Sequence, residues 1–301
     1  MNDQFDCVGF GICAADYLCI VPAYPALDEK TEARQFSFQG GGPAATALVT
    51  LARLGSSTCF LGKVGNDVNG RFVQEQFQRE GVDIRGLIID EAMPTNQAFI
   101  WIDQRSGKKS IVLNSHGYRP VQIDELKTAL IRRFNYLLID GRDTEATFRL
   151  IEWAEEKGAQ IVLDAGSPRA KMTELLRRVH YPVVSESFGA SFFQTTEPKK
   201  IIDALLEFGA TAAVVTLGAR GCHAGDGRNY FHQPAFAVDV VDTTGAGDVF
   251  HGAFTFGLVQ QWPLPRILKF ASATAAIKCQ SIGGRLGIPT IEKVNLFLDT
   301  H

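Results

Sequence analysis

Asp248 stands directly behind a glycine–alanine–glycine step, Gly245 to Gly247, and directly ahead of the apolar run that begins at Val249. Backbone N–H groups at the start of a helix are unpaired and sit at the positive end of its dipole, so small residues there let a phosphate come close. Gly245, Ala246 and Gly247 therefore read as an anion hole. A carboxylate in the first turn behind such a hole stands where a base must stand to take the proton of a hydroxyl attacking a phosphoryl group. Its plainer role is that of a favourable acidic residue near a helix N-terminus. Asp242, Thr243 and Thr244, ahead of the loop, are placed to hold its shape or to help bind a cation. The chain carries no GxxxxGK[ST], which excludes a Walker-type nucleotide site.

Two further glycine-rich stretches compete for a ligand. GFGICA, Gly9 to Ala14, fits GxGxxA after a strand, but a dinucleotide site needs a helix at once, and the continuation carries Pro22 and Pro25 with no helical period. Asp16 is instead expected just past the first strand, where open α/β sheets bind ligands, and a turn aspartate is its plain alternative. In QGGGPAATALVTLARLG, Gln39 to Gly55, the glycines precede a core helix, and Gly40, Gly41 and Gly42 offer bare backbone to a substrate.

The elements that must position these residues alternate. The β-rich runs DCVGFGI, TCFLGKVG, YLLID, IVLDAG and AAVVTLG are separated by helical patterns such as PAATALVTLARLG, GRFVQEQFQREG, TFRLIEWAEEKG and KIIDALLEFG, each closing on glycine. That order predicts an α/β fold, a mostly parallel sheet covered by helices on both faces. Residues 28–39 and 96–114 read instead as alternating strands, the second folded at RSGKK, and are expected to form a small β lid. With no linker, repeat or low-complexity segment, the 301 residues are expected to form a single domain with lid segments at about 17–39 and 96–114.

A net charge of −3 and the absence of a like-charge run give no field for nucleic acid or a membrane surface, so the expected partner is a small molecule. The six cysteines show no CxxC pair, which suggests neither zinc nor a disulfide framework, and no apolar run approaches the ~20 residues of a membrane span. The expectation is a cytoplasmic protein with reduced thiols. The six histidines form no metal set, and His251, on the helix after Asp248, reads as a packed residue.

GGGPAATALVTLARLG, GKVGNDVNG, VTLGARG and DTTGAGDVFHGAF occur in this order and spacing, and together they resemble the PfkB, or ribokinase-like, carbohydrate kinases over residues 6–290 or so. The resemblance implies a three-layer α/β/α sandwich with a small β-sheet lid, ATP as co-substrate, Mg²⁺, and a homodimer through the lid. It matches Asp248 to the catalytic base, Gly245 to Gly247 to the anion hole, Asp16 to the aspartate that grips sugar hydroxyls, and Gly41 and Gly42 to the glycine pair lining the sugar site. Thr216, Gly218 and Gly221 fall in the loop beside the nucleotide. Asp242, Thr244 and Gly287 lie in segments that surround a monovalent cation in many relatives, with K⁺ the candidate ion.

Two departures stand out. Thr46 replaces an asparagine that many relatives use on a sugar hydroxyl, and Ser185 and Phe188 replace the ends of an NxxE, leaving Glu186 as the candidate carboxylate for Mg²⁺. Within the family the chain is most similar to sulfofructose kinases, in GGGPAATA, the QPAF to FHGA run and the ending IKC…GGR-GIP. That likeness places Lys30, Asn114 and Arg142 as groups holding a sulfonate. The expected function is ATP-dependent phosphorylation of a primary hydroxyl on a furanose-type sugar, with an anionic end as in 6-deoxy-6-sulfofructose. The alternatives are a kinase of a neutral acceptor (fructose, ribose, adenosine) and a sugar-binding regulator without catalysis.

Overall fold

The computed structural model describes residues 3–301. Its large sheet has nine strands, β1 (Gln4–Phe10), β4 (Thr58–Gly65), β5 (Leu87–Asp90), β8 (Arg133–Ile139), β9 (Gln160–Ala165), β10 (Tyr181–Ser185), β11 (Ala213–Thr216), β12 (Cys222–Gly225) and β13 (Tyr230–Gln233), in the order β13-β12-β11-β10-β9-β8-β1-β4-β5. β11 through β5 pair in parallel, and β12 and β13 add an antiparallel edge. Strands covered on both faces are mostly apolar, and TCFLGKVG, buried at all eight positions and polar only at Thr58 and Lys63, is one of them.

The two-residue period of the strands divides the core. Cys7, Leu138, Val162, Val183 and Val214 pack against α1 (Pro43–Arg53), α7 (Ala246–Val259) and α8 (Leu264–Lys278) on one face. Val8, Leu137, Ile161, Val184 and Val215 pack on the other face against α3 (Thr144–Glu156), α4 (Met172–Leu176) and α6 (Pro198–Glu207). α2 (Val68–Arg79), the single-turn α5 (Glu186–Phe188) and α9 (Ile291–Thr300) complete the helices described below. α1, α2, α3 and α6 each stop before a glycine at positive φ, Gly55, Gly81, Gly158 and Gly209. A Cβ at any of the four would meet nothing within 4 Å, so the left-handed backbone, not crowding, calls for glycine there.

A four-stranded sheet stands apart, ordered β3 (Gln35–Gly41), β2 (Ala14–Val21), β6 (Gln97–Asp103), β7 (Lys109–Asn114). The expected strand over residues 28–39 is shortened: residues 28–34 are exposed and irregular, and pairing begins at Gln35. Alternation there arises from charges interleaved with small residues and has no apolar face to bury. The sheet's first strand lies instead at Ala14–Val21, earlier than the sequence suggested. Leu18, Ile20, Ala98, Ile100 and Ile102 form the buried face of this sheet together with Ile282. Among the described residues no helix is long and apolar enough to cross a membrane.

Candidate active site

Several polar residues lie where the parallel strands end, Ser185 and Thr216 among those named from the sequence. Asp140 follows β8, Asp164 lies near the end of β9, Ser185 and Thr216 close β10 and β11, and α7 begins over the same edge, the edge at which open α/β sheets place ligands.

Gly245 caps α7 with φ 73°, and a Cβ on it would come within 2.6 Å of Gly284 Cα, so both the turn and the close approach require glycine. Ala246 and Val249 donate their N–H groups to Thr243 and Gly245. Between them, the N–H groups of Gly247 and Asp248 find no partner among the described residues. A Cβ at Gly247 would meet nothing within 4 Å. Two free donors beside open space at a helix start give the geometry expected of an anion hole.

Asp248 is half-buried, and burial raises its carboxyl above the ordinary value; His251, Lys109, Lys278 and Arg285 oppose the rise, in that order. His251 is packed, as expected, and also bonded. Its Nδ1 lies 2.6 Å from Gly247 O and 3.4 Å from Asp164 Oδ2, and its Nε2 lies 3.0 Å from Val183 O. Because the C=O of residue 247 and the N–H of Asp248 share one peptide plane, the ring fixes the direction of a donor in the loop.

Asp16 lies within β2, opposite Gln39 and Ala98, rather than in a turn past β1. It is 8% exposed, and its carboxyl is pushed from 3.8 up to about 7 by burial, with Arg285 opposing and Asp248 reinforcing the shift. The glycine run has a steric reason at every position. A Cβ on Gly41 would strike the Asp16 carboxylate, one on Gly40 would strike the Arg285 guanidinium, and one on Gly42 would strike the carbonyl of Ile12.

Arg285 was not foreseen. Only 2% exposed, it donates from Nε to Thr46 Oγ1 at 3.4 Å and from Nη2 to Gly41 O at 3.2 Å, and it lies over the Phe77 ring. The hydroxyl that replaces the relatives' asparagine is thus taken by this arginine. Its local signal was only an arginine between two glycine steps, because its partners are more than 230 residues away.

At the β8 edge the guanidinium of Arg142 makes no hydrogen bond or ion pair among the described residues, while its N–H donates to Asp140 Oδ1 at 3.1 Å. Arg169 lies beside it, with its Nε buried and unpartnered among the described residues, and is held below the ordinary arginine range by burial and by Arg142. Lys30 is exposed in the irregular segment, and Asn114, exposed on β7, donates to Gln97 Oε1 at 3.3 Å. Among the described residues no contact joins Lys30, Asn114 and Arg142.

Thr216 ends β11 and donates to Val184 O, and Gly218, at φ 58°, faces open space. Gly221 turns the chain into β12, where a Cβ would strike Gln233 O. Glu186 pairs with Arg220 at 2.5 Å. Phe188, at the end of the altered NxxE, is fully buried in the core, and Ser185 caps its turn. The small sheet touches the loop through Lys109, whose Nζ donates to Thr243 O at 3.0 Å.

A doubly covered parallel sheet with an open glycine loop at a helix start over its carboxyl edge defines a phosphate-handling α/β protein. The family model of the pfkB family carbohydrate kinases matches residues 4–291, and the chain belongs to that family. It is 26% identical to the ribokinase of Haemophilus influenzae over 96% of this chain and 97% of that one. It is 28% identical to the aminoimidazole riboside kinase of Salmonella typhimurium over 87% of this chain and 88% of that one. The structure of Arabidopsis thaliana ribokinase, complexed with ribose and ATP, superposes with a TM-score of 0.84 over 98% of this chain and 99% of that one, at 23% identity. The protein is a sugar or nucleoside kinase with the ribokinase fold.

Proposed function

We propose that the enzyme transfers the γ-phosphoryl group of ATP to a primary hydroxyl of a furanose-type sugar bearing an anionic end, such as 6-deoxy-6-sulfofructose. The observation that carries the acceptor's charge is the pair Arg142 and Arg169, two guanidinium groups at the sheet edge that form no ion pair among the described residues and have the single Asp140 carboxylate nearby. Arginine suits a sulfonate because its fork donates two parallel bonds. Lys30 from the small sheet's loop and Asn114 from β7 join Arg142 on that anion.

The sugar lies against Gly41 and Gly42 with its hydroxyls on Asp16, and the nucleotide lies beside Thr216, Gly218 and Gly221. Asp248 takes the proton of the attacking hydroxyl, and its raised carboxyl is closer in acidity to that task than an ordinary aspartate. The free N–H groups of Gly247 and Asp248 face the transferring phosphoryl oxygens, whose growing charge they stabilise. Mg²⁺ needs only one or two carboxylates besides phosphate and water, and Glu186, the first residue after β10, is the residue that would hold it on exchanging its pairing with Arg220. When bound it neutralises phosphate charge.

The small sheet is also the surface for a homodimer. Phe36, Trp101, Ile111, Val112 and Leu113 are all exposed on it, and light scattering on the purified protein tests the mass. Six free cysteines fit a reducing, cytoplasmic setting.

The acceptor is tested by coupled ADP release on 6-deoxy-6-sulfofructose, fructose 6-phosphate, fructose, ribose and adenosine. Arg142→Ala is expected to raise KM for the anionic sugar by roughly 30-fold, the scale of a lost charge-assisted pair of bonds, and to leave activity on neutral fructose nearly unchanged. Equal losses on both would make Arg142 a support of the fold. A wild-type preference for a neutral acceptor would end the anionic reading.

A further inference from the structure

The segments that surround a monovalent cation in many relatives carry a buried ammonium of their own in this chain. A cation such as K⁺ needs a shell of carbonyl, carboxylate and hydroxyl oxygens left free to face it. Here several of those oxygens already accept hydrogen bonds from the chain itself. Asp242, fully buried, accepts from Thr244 N at 2.8 Å and Thr244 Oγ1 at 2.7 Å on one carboxylate oxygen, and from Gly283 N at 2.7 Å on the other. The carbonyl of Cys279, at the end of α8, accepts two N–H groups of the loop ahead of Gly245. Gly287 is pressed so closely on the carbonyl of Lys278 that a Cβ there would lie 2.6 Å from it.

Another oxygen of this region, the carbonyl of Asp242, accepts from Lys278 Nζ at 2.9 Å. Lys278 is fully buried, which lysine almost never is without a partner. We propose that the Lys278 ammonium is a built-in replacement for the monovalent cation, so that this kinase works without K⁺.

The position gives the charge two effects. Through the Asp242 carbonyl it fixes a residue whose carboxylate holds both Thr244 and Gly283, and so holds the loop that leads into Gly245. The same charge reaches the site: Lys278 is among the groups that favour the ionised form of Asp248. Burial pulls Lys278 itself down, and Asp242 is the chief group drawing it back up. A second cation beside this ammonium would meet like charge in a poorly screened setting.

The test compares choline, sodium and potassium chloride at one ionic strength, reading the thermal midpoint and, separately, the rate of ADP release. The midpoint needs no substrate, so its outcome is independent of the acceptor and of the roles assigned to Asp248 and Arg142. For the wild-type protein both readouts are expected to be the same in the three salts. Lys278→Ala is expected to lose rate in choline, with K⁺ or a small alkylammonium ion restoring rate by about fivefold or more, the low end of coupling between a ligand site and a distant one, and raising the midpoint. A wild-type rate or midpoint that rises specifically with K⁺ overturns the proposal, and this arm decides the matter even if Lys278→Ala does not fold. A folded Lys278→Ala that keeps its full rate in choline overturns it as well. So does a loss that neither ion reverses, since the lysine would then serve packing and not charge.

Discussion

Replacing Asp16 by asparagine separates the demands of the fold from those of the acceptor. Burial lifts the Asp16 carboxyl from 3.8 to about 7 in the folded chain, so between those values the folded state holds a proton that the unfolded state has released. Stability therefore falls as pH rises through this window, and the whole penalty is present above about 7. At roughly 1.36 kcal/mol per pH unit the rise corresponds to ~4 kcal/mol, and an asparagine side chain there, isosteric with the protonated acid, recovers about half of it after its amide is accommodated. For a chain of this size that is a rise in Tm of about 4 °C. Differential scanning fluorimetry at pH 5 and pH 8 reads it. Asp16→Asn should be more stable than wild type at pH 8 and close to it at pH 5, where wild-type Asp16 is mostly protonated. The same variant should raise KM for the sugar by about tenfold or more, because a charged acceptor of hydroxyl hydrogen bonds has gone. A Tm difference equal at the two pH values, or a destabilised variant at pH 8, would refute the argument from burial. An unchanged KM would remove Asp16 from the sugar site.

Gly247→Val is expected to fold normally, since its Cβ enters space empty to 4 Å, and to lose about 10²-fold in kcat/KM as the phosphoryl group is kept from the free N–H groups. Native turnover in the folded variant would place the anion hole elsewhere. Arg285→Met removes the cation that most favours ionised Asp16, so the pH below which sugar KM rises should move upward in a pH series; an unmoved limb would show that Arg285 acts only through the Thr46 and Gly41 contacts.

What was legible in the sequence was what local pattern determines. TCFLGKVG is apolar at almost every position because the strand is covered on both faces, and four helices announced their ends through glycines now seen at positive φ. The Gly245 to Asp248 loop was legible because a helix start and its first-turn carboxylate are contiguous. The small sheet was half legible. Its β6–β7 hairpin lay where RSGKK suggested, but β2, which follows β1 after only three residues, was hidden among residues read as a ligand turn, and Asp16 was misplaced with it. Contacts that join distant segments left no local trace. Arg285 meets Thr46 across 239 residues, and Lys278 meets Asp242 across 36, from the end of a helix where a lysine looks like an ordinary solvated terminus. Arg169 escaped notice for a related reason: its nearness to Arg142 depends on two loops after neighbouring strands.

Asp248 is the group proposed to receive the acceptor's proton beside free N–H donors. Asp248→Asn keeps size and hydrogen bonding while removing the proton acceptor, and single-turnover ADP formation with saturating ATP and sugar measures the step itself. The predicted result is a rate at least ~10² lower, the scale of a lost general base, with ATP and sugar affinities within about threefold of wild type. A folded Asp248→Asn enzyme that retains more than about a tenth of the wild-type rate, far above what loss of a general base allows, would contradict it.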